Sequence, residues 1–244
     1  MQRFSSKLHL RGKVALITGA NRGIGLAIGR ALANEGCDLV LTARDQASLQ
    51  KAGRELARLG VRVLVDACDV RDPRSVKAMF ATLKKQFRKL DILINNAGVA
   101  HSNLSVAELP VEAWKEVIDT NLTGMFLVTR AALPFMKRGG AIVNNLSIAA
   151  KRVFPGSSAY NASKHGALGF TDTLREELRP RGIRVIALLP GATDTDMWNK
   201  LWPDAPRKKM MAPETIATAV VNALALPENS TVEELTIVPT AGTL

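Results

Sequence analysis

Tyrosine occurs once in these 244 residues, histidine three times and cysteine twice, and each scarcity removes a class of chemistry. Cys37 and Cys68 show neither metal-ligand spacing nor the density of a disulfide scaffold. Each borders an apolar run, so both are expected as small core residues. His9, His101 and His165 have no carboxylate or cysteine at ligand spacing, which argues for surface or loop positions and against a metal site. Long hydrophobic runs are missing as well. No stretch of about 18 apolar residues occurs, and Met1-Gln2-Arg3-Phe4-Ser5-Ser6 leads into polar, charged sequence without the apolar block of a signal peptide. The expectation is a soluble, cytoplasmic protein that makes no use of a membrane. Acidic residues are outnumbered, 22 against 33 lysines and arginines, for a net charge of +11. A surface of that sign concentrates anions. Nucleic acid is one such anion, but the basic residues are spread along the chain, with no zinc-finger spacing and no aromatic-interleaved basic stripe. A solvated basic surface with one phosphate site, and no nucleic-acid partner, is expected instead.

What is plentiful is apolar sequence in short runs. At 47% hydrophobic the chain can bury one large core, and a single domain over residues 1–244 is expected. β-Branched runs alternate with segments of helical period from one end to the other. The expected strands are 14–18, 38–43, 62–67, 92–95, 141–146, 184–189 and 234–238. The expected helices are 24–35, 47–59, 73–87, 111–137, 158–179 and 213–225, several opened by Pro or Asp. Right-handed crossovers would lay these helices on both faces of a seven-stranded parallel sheet, an α/β doubly wound Rossmann fold, with ligands at the carboxyl ends of the strands. Residues 194–212 stand apart. They carry Met197, Trp198, Trp202, Met210, Met211 and two prolines, and read as a long amphipathic loop serving as a substrate lid.

The first strand runs into Thr18-Gly19-Ala20-Asn21-Arg22-Gly23-Ile24-Gly25. Glycines there permit a tight turn and let a helix N-terminus approach a pyrophosphate with no side chain between them. A carboxylate at the end of the second strand would bond the ribose of NAD and repel a 2′-phosphate. This strand ends Leu41-Thr42-Ala43-Arg44, with Asp45 beyond the arginine. Arg44 and Arg22 offer two guanidiniums to a 2′-phosphate, which favours NADP(H) over NAD(H).

Tyr160-Asn161-Ala162-Ser163-Lys164 sets a phenol and an ammonium one helical turn apart on a shared face. A cation beside the phenol, Lys164 together with an oxidised nicotinamide, is expected to lower its pKa toward the working range. Ser147 closes the fifth strand, where a hydroxyl can hydrogen-bond a carbonyl and stabilise alkoxide-like charge. Asn121 lies within an expected helix although Asn is a poor helix former, so its amide is expected to do something other than support the helix.

With the glycine turn, Asn121, Ser147, Tyr160 and Lys164 in order, the chain resembles the short-chain dehydrogenase/reductase family from Gly12 to about Pro239, in particular its 3-oxoacyl-acyl-carrier-protein reductase-like members. The resemblance implies that Tyr160 exchanges the proton and Ser147 orients and polarises the carbonyl. Lys164 would bind the nicotinamide ribose and tune Tyr160, and Asn121 would hold a water in the proton path. It assigns the cofactor to Gly19, Asn21, Arg22, Gly23, Ile24, Gly25 and Arg44, to the adenine-contacting pair Asp69 and Val70, and to Asn95, Ala97 and Gly98 of the N-N-A-G turn. Pro190, Gly191, Thr193 and Thr195 would serve the nicotinamide half. The family's usual S-S pair is here Leu146-Ser147, and the second serine is the catalytic one. His101, just after N-N-A-G, could border the substrate pocket, whose apolar walls would draw on Val153, Phe154, Met197, Trp198 and Trp202.

The implied reaction is reduction of a small-molecule ketone or a 3-oxoacyl thioester, with acyl carrier protein or a coenzyme A thioester as the acidic partner. The oxidative direction uses the same residues, and a cofactor-sensing or scaffold protein without turnover would keep the same fold. Spare apolar surface on helices 111–137 and 158–179, including Phe126, Leu127, Leu168 and Phe170, points to a homo-oligomer, a dimer or tetramer paired across a two-fold axis.

Overall fold

Strand β1 (Val14–Thr18) is buried along its whole length, and its side chains divide between two cores. Val14 and Leu16 pack on one face with Val40, Leu93 and Val128, whereas Ala15 and Ile17 pack on the other with Ile28, Leu39 and Val220. That division follows from the two-residue period of a strand covered on both sides, and it explains why the central strands read as continuous apolar runs. The computed structural model describes residues 10–242, apart from the side chain of Lys200; His9 lies outside the described residues.

Around β1 the sheet has seven parallel strands in the order β3-β2-β1-β4-β5-β6-β7. They are β2 (Asp38–Ala43), β3 (Val63–Ala67), β4 (Ile92–Asn95), β5 (Ala141–Asn145), β6 (Arg184–Pro190) and β7 (Glu234–Ile237). The order reverses between β1 and β4, where Ala15 lies opposite Ile92, and the crevice at their carboxyl ends is where such sheets bind ligands.

Helices α1 (Gly23–Asn34), α2 (Gln46–Ala57), α3 (Pro73–Gln86), α6 (Ser158–Leu178) and α8 (Pro213–Leu224) lie within two residues of the expected bounds. Two begin on an aspartate cap: Asp45 accepts from Ser48 N at 2.8 Å and Asp72 from Arg74 N at 2.9 Å. The helix expected over 111–137 is not continuous. It comprises α4 (Val111–Ile118), a wider π-helical turn at Asp119–Thr123, α5 (Gly124–Ala132) and a 3-10 turn at Leu133–Phe135. The wide turn releases Asn121 to bond elsewhere, and Pro134, which has no N–H to donate, ends the helix.

The 194–212 segment is more structured than a long loop. It holds the short helix α7 (Trp198–Leu201) and a 3-10 turn at Arg207–Lys209, and it pairs back through a bridge between Thr193 and Met211. Arg207 staples it, donating to Asp194 Oδ1 (2.7 Å), Thr195 O (2.7 Å) and Asn199 Oδ1 (2.6 Å). Both cysteines are free and buried, and burial pushes the Cys37 thiol up to about 12. Among the described residues no helix is long and apolar enough to cross a membrane.

Candidate active site

The turn after β1 and the turn after β4 are built against each other. Gly19 adopts φ +64°, and a Cβ there would lie 3.0 Å from Ala97 Cα. At Gly25 a Cβ would come within 2.4 Å of both Gly19 O and Asn96 Nδ2, so only glycine lets α1 start this close to the turn. Thr18 Oγ1 accepts from Asn96 N and Ala97 N, both at 2.9 Å, and Asn96 Nδ2 donates to Thr18 O (2.9 Å) and Gly19 O (3.1 Å). Helix α1 has no side-chain cap and no acidic residue in its first turn. Its N-terminal N–H groups and positive dipole end therefore face the crevice unneutralised, which is the arrangement that binds phosphate.

Of the catalytic and cofactor-binding residues expected at the site, all but Gly25, Asn95 and Asn121 line a single cavity of about 650 Å³. Gly25 serves it by close packing. Asn95 belongs to the sheet interior: it is 3% exposed and donates to Thr129 Oγ1 and Asn144 Oδ1, both at 2.8 Å. Its neighbour Asn96 faces the site instead, because successive side chains at a strand end point to opposite sides. Asn121 has spent its side chain inside the protein, with Oδ1 accepting from Val99 N (2.8 Å) and Nδ2 donating to Val99 O (2.9 Å) and Ser163 Oγ (3.0 Å).

The phosphate end carries both arginines. Arg44 Nη1 is 3.8 Å from Glu116 and Arg22 Nη1 is 3.3 Å from Asp196, each guanidinium largely solvated. Asp45, the acid nearest the β2 end, has its carboxylate occupied by the α2 cap, and hydrogen bonds with Ser48 hold its pKa below the usual range. Asp69 is gripped by Arg71, whose hydrogen bonds lower its pKa in the same way.

At the chemical end, Ser147 leaves β5 and caps the turn Ile148–Ala150 by accepting from Ala149 N at 3.1 Å. Lys164, 5% exposed, donates to Asn145 O at 3.0 Å, and its Nζ lies 5.5 Å from the centre of the Tyr160 ring. Burial without a carboxylate partner pushes the lysine down to about 8. Tyr160 departs from expectation. Burial raises its pKa above the ordinary phenol value, and a hydrogen bond with Ser147 offsets part of that rise. Among the protein's own groups, desolvation raises the phenol and the Ser147 hydrogen bond is what acts against it.

The cavity also draws on residues beyond those expected, Asn96, Asn145 and Cys68 among them. Asn96 and Asn145 are joined by a 2.8 Å hydrogen bond from Asn145 Nδ2 to Asn96 Oδ1, which links the lysine's anchor on β5 to the glycine turn. A pair of amides, Asn144 and Asn145, closing a strand that is otherwise apolar is the signal the sequence offers for Asn145. Cys68, expected only in the core, also borders the cavity. Phe154, Met197, Trp198 and Trp202 supply apolar wall, whereas Val153 is 78% exposed and lies off the cavity. His101 sits in a loop as expected but is only 2% exposed, with Nδ1 at 2.7 Å from Ser102 O, and it does not reach the cavity wall. His165 is exposed on α6, its Nδ1 2.9 Å from Asn161 O. Among the described residues no group of three or more His, Cys, Asp or Glu could hold a metal ion.

The short chain dehydrogenase family model matches residues 13–206. The 3-oxoacyl-acyl-carrier-protein reductase FabG of Vibrio cholerae is 36% identical over 231 residues, covering 91% of this chain and 93% of its own. Among solved structures, an alcohol dehydrogenase from Thermococcus sibiricus complexed with 5-hydroxy-NADP superposes with a TM-score of 0.87 at 36% identity, covering 93% of this chain and 96% of its own. A short chain dehydrogenase from Burkholderia cenocepacia in complex with NADP gives 0.87 at 32% identity, over 94% and 97%. On its own geometry and on these likenesses, the chain belongs to the short chain dehydrogenase family of oxidoreductases.

Proposed function

We propose that this protein reduces a ketone or a 3-oxoacyl thioester to the alcohol with NADPH, Tyr160 giving the proton. The observation that carries the reading is the meeting of Ser147, Tyr160 and Lys164 in the same cavity as the uncapped, glycine-lined N-terminus of α1. The cavity fits a dinucleotide phosphate: Gly25 leaves no room for a Cβ, Arg22 and Arg44 border the β2 end, and Asp45 beside them is occupied in a cap. The turn residues Gly19, Asn21, Gly23 and Ile24 would hold the pyrophosphate, Asp69 and Val70 the adenine, and Thr193 and Thr195 the nicotinamide half. Bound NADPH supplies the hydride.

The rest of the chemistry falls to side chains. Ser147 orients the carbonyl and donates to its oxygen as negative charge develops there. Tyr160 keeps its proton at neutral pH, since burial holds the phenol above its ordinary value, and gives it up only as that oxygen becomes basic enough to take it. Lys164, with a pKa near 8, is mostly charged at neutral pH and stabilises the phenolate left behind. Asn121 supports the site by holding Val99 and Ser163 in place. The same groups run alcohol oxidation in reverse, and a reduced NADPH pool favours the forward direction.

For the substrate, the apolar wall of Phe154, Trp198 and Trp202 suits an acyl chain or a hydrophobic ketone, and the net charge of +11 suits an acidic carrier protein or coenzyme A. Residues 194–212 act as the lid. A second copy of the chain is proposed to cover the face where Trp114 and Phe126 stand 41% and 43% exposed, Phe126 edge-on to Phe170 at 6.3 Å. Light scattering is expected to give a dimer or tetramer, with Phe126→Glu shifting it toward monomer; a monomeric wild type rejects the pairing.

The direct test follows the absorbance of reduced nicotinamide with a panel of ketones that includes an acetoacetyl thioester, NADPH being compared with NADH. NADPH consumption with a ketone is expected, and NADPH binding without turnover on any carbonyl would favour a sensing role. Arg44→Ala is expected to raise KM for NADPH about 10- to 100-fold, the loss of one charge-assisted contact, while leaving KM for NADH nearly unchanged. Equal losses with both cofactors would place the 2′-phosphate elsewhere.

A further inference from the structure

The connection from β5 to α6 carries Ser147 at its start and Phe154 on the cavity wall, with a single 3-10 turn as its only regular structure. Backbone groups in such a connection have no ladder to join, so its shape depends on side chains that bind them. Asn161, the residue after Tyr160, does this with its entire amide. It is 8% exposed, Nδ2 donates to Ala149 O (3.2 Å) and Arg152 O (2.6 Å), and Oδ1 accepts from Phe154 N at 3.2 Å. Ala149 also donates to Ser147 Oγ, so the stretch that Asn161 grips is the one that orients the serine. On the opposite side Leu104 N donates to Gly156 O at 3.0 Å, and the amide nitrogen of Asn103, in the orientation that satisfies it, reaches Pro155 O and Gly156 O at 3.1 and 3.3 Å.

We propose that Asn161 is a positioning residue that sets the Ser147–Phe154 wall against Tyr160 and thereby decides which carbonyl compounds fit; this rests on reading Tyr160 as the proton donor. An amide is the right group for the place. It offers two donors to two carbonyls and one acceptor to an N–H, from a point one residue along the helix from the phenol. An apolar side chain would leave three backbone groups unpaired, and a carboxylate would set its oxygens against two carbonyl oxygens. Asn161 touches no reacting atom, so its effect passes through Ser147 and Phe154.

Asn161→Ala is expected to raise KM for a bulky aryl ketone about tenfold and to lower kcat about 10- to 100-fold, as misplacement of reacting groups does. The NADPH Kd, read by fluorescence, should stay within about twofold, since the phosphate site shares no partner with Asn161. Unchanged KM and kcat overturn the proposal, and so does a parallel loss of NADPH affinity, the mark of a merely loosened fold. If Asn161→Ala does not fold, Asn161→Ser, which keeps a hydroxyl donor for one carbonyl, is expected to give the same split at smaller size. Hydrogen exchange supplies a readout apart from turnover: the Phe154 amide should be protected in the wild type and exposed in the variant. A Phe154 amide that exchanges freely in the wild type overturns the proposal whatever the variants do. Tyr160→Phe measured alongside separates the two ideas, because turnover retained there defeats the proton-donor reading while exchange at Phe154 still judges Asn161.

Discussion

Tyr160→Phe is expected to lower kcat by about 10²- to 10⁴-fold, the range that positioned general acids contribute, with the Kd for NADPH changed little. The substitution removes one oxygen and keeps the ring. The stability lost is then about one hydrogen bond, that with Ser147, or about 1 kcal/mol. Steady-state kinetics and a melting curve on the same preparation separate chemistry from folding. A variant that melts normally, binds NADPH and still turns over within about tenfold of the wild type would show that another group gives the proton. The pH profile sharpens the test. Reduction by the wild type should decline as pH rises through about 8, where Lys164 loses the charge that stabilises the phenolate, and well before the raised phenol begins to ionise.

Lys164→Met is expected to make a more stable and nearly inactive protein. An ammonium 5% exposed, held by one carbonyl and no carboxylate, keeps its charge at neutral pH at a cost. The fall of its pKa from 10.5 to about 8 measures that cost at about 3 kcal/mol. Methionine fills similar space without the charge, and the bond lost at Asn145 O takes back about 1 kcal/mol. The net gain of about 1–2 kcal/mol should raise Tm by several degrees, while kcat falls about 100-fold or more with the loss of the cation beside Tyr160. The pH dependence has a definite sign. Lys164 titrates lower in the folded chain than in the unfolded one, so the unfolded chain binds more protons between about 8 and 10.5, and wild-type stability rises across that window. Below about 8 the penalty is fully present. Denaturant melts at successive pH values should show this rise in the wild type and its absence in Lys164→Met; a less stable variant, or one with the same slope, would mean that the lysine is not strained by burial.

The sheet was legible because its strands are covered on both faces, which turns each into a short apolar run that needs no partner to be recognised. Val14–Thr18, Asp38–Ala43 and Ile92–Asn95 have the bounds expected of them for that reason. The glycine turn was legible because close backbone approach excludes every other residue, as the contacts at Gly25 make plain. Tyr160 and Lys164 were legible because helical spacing alone puts them on one face. Local pattern therefore determined the elements, the phosphate turn and the phenol–ammonium pair.

What the tertiary structure decided was where each polar group looks. Asn95 and Asn96 are alike in sequence, yet one is consumed between β4, β5 and α5 and the other faces the crevice, since the direction of a side chain at a strand end follows from how its neighbours pack. Asn121 reaches Val99 and Ser163 from the widened turn at Asp119–Thr123, and the grip of Asn161 on Ala149, Arg152 and Phe154 exists only once β5 and α6 are side by side. The direction in which the Tyr160 pKa moves was decided there too: charge can be counted along a chain, but desolvation depends on what the folded chain places around the group, and here burial raises the phenol against a single hydrogen bond from Ser147.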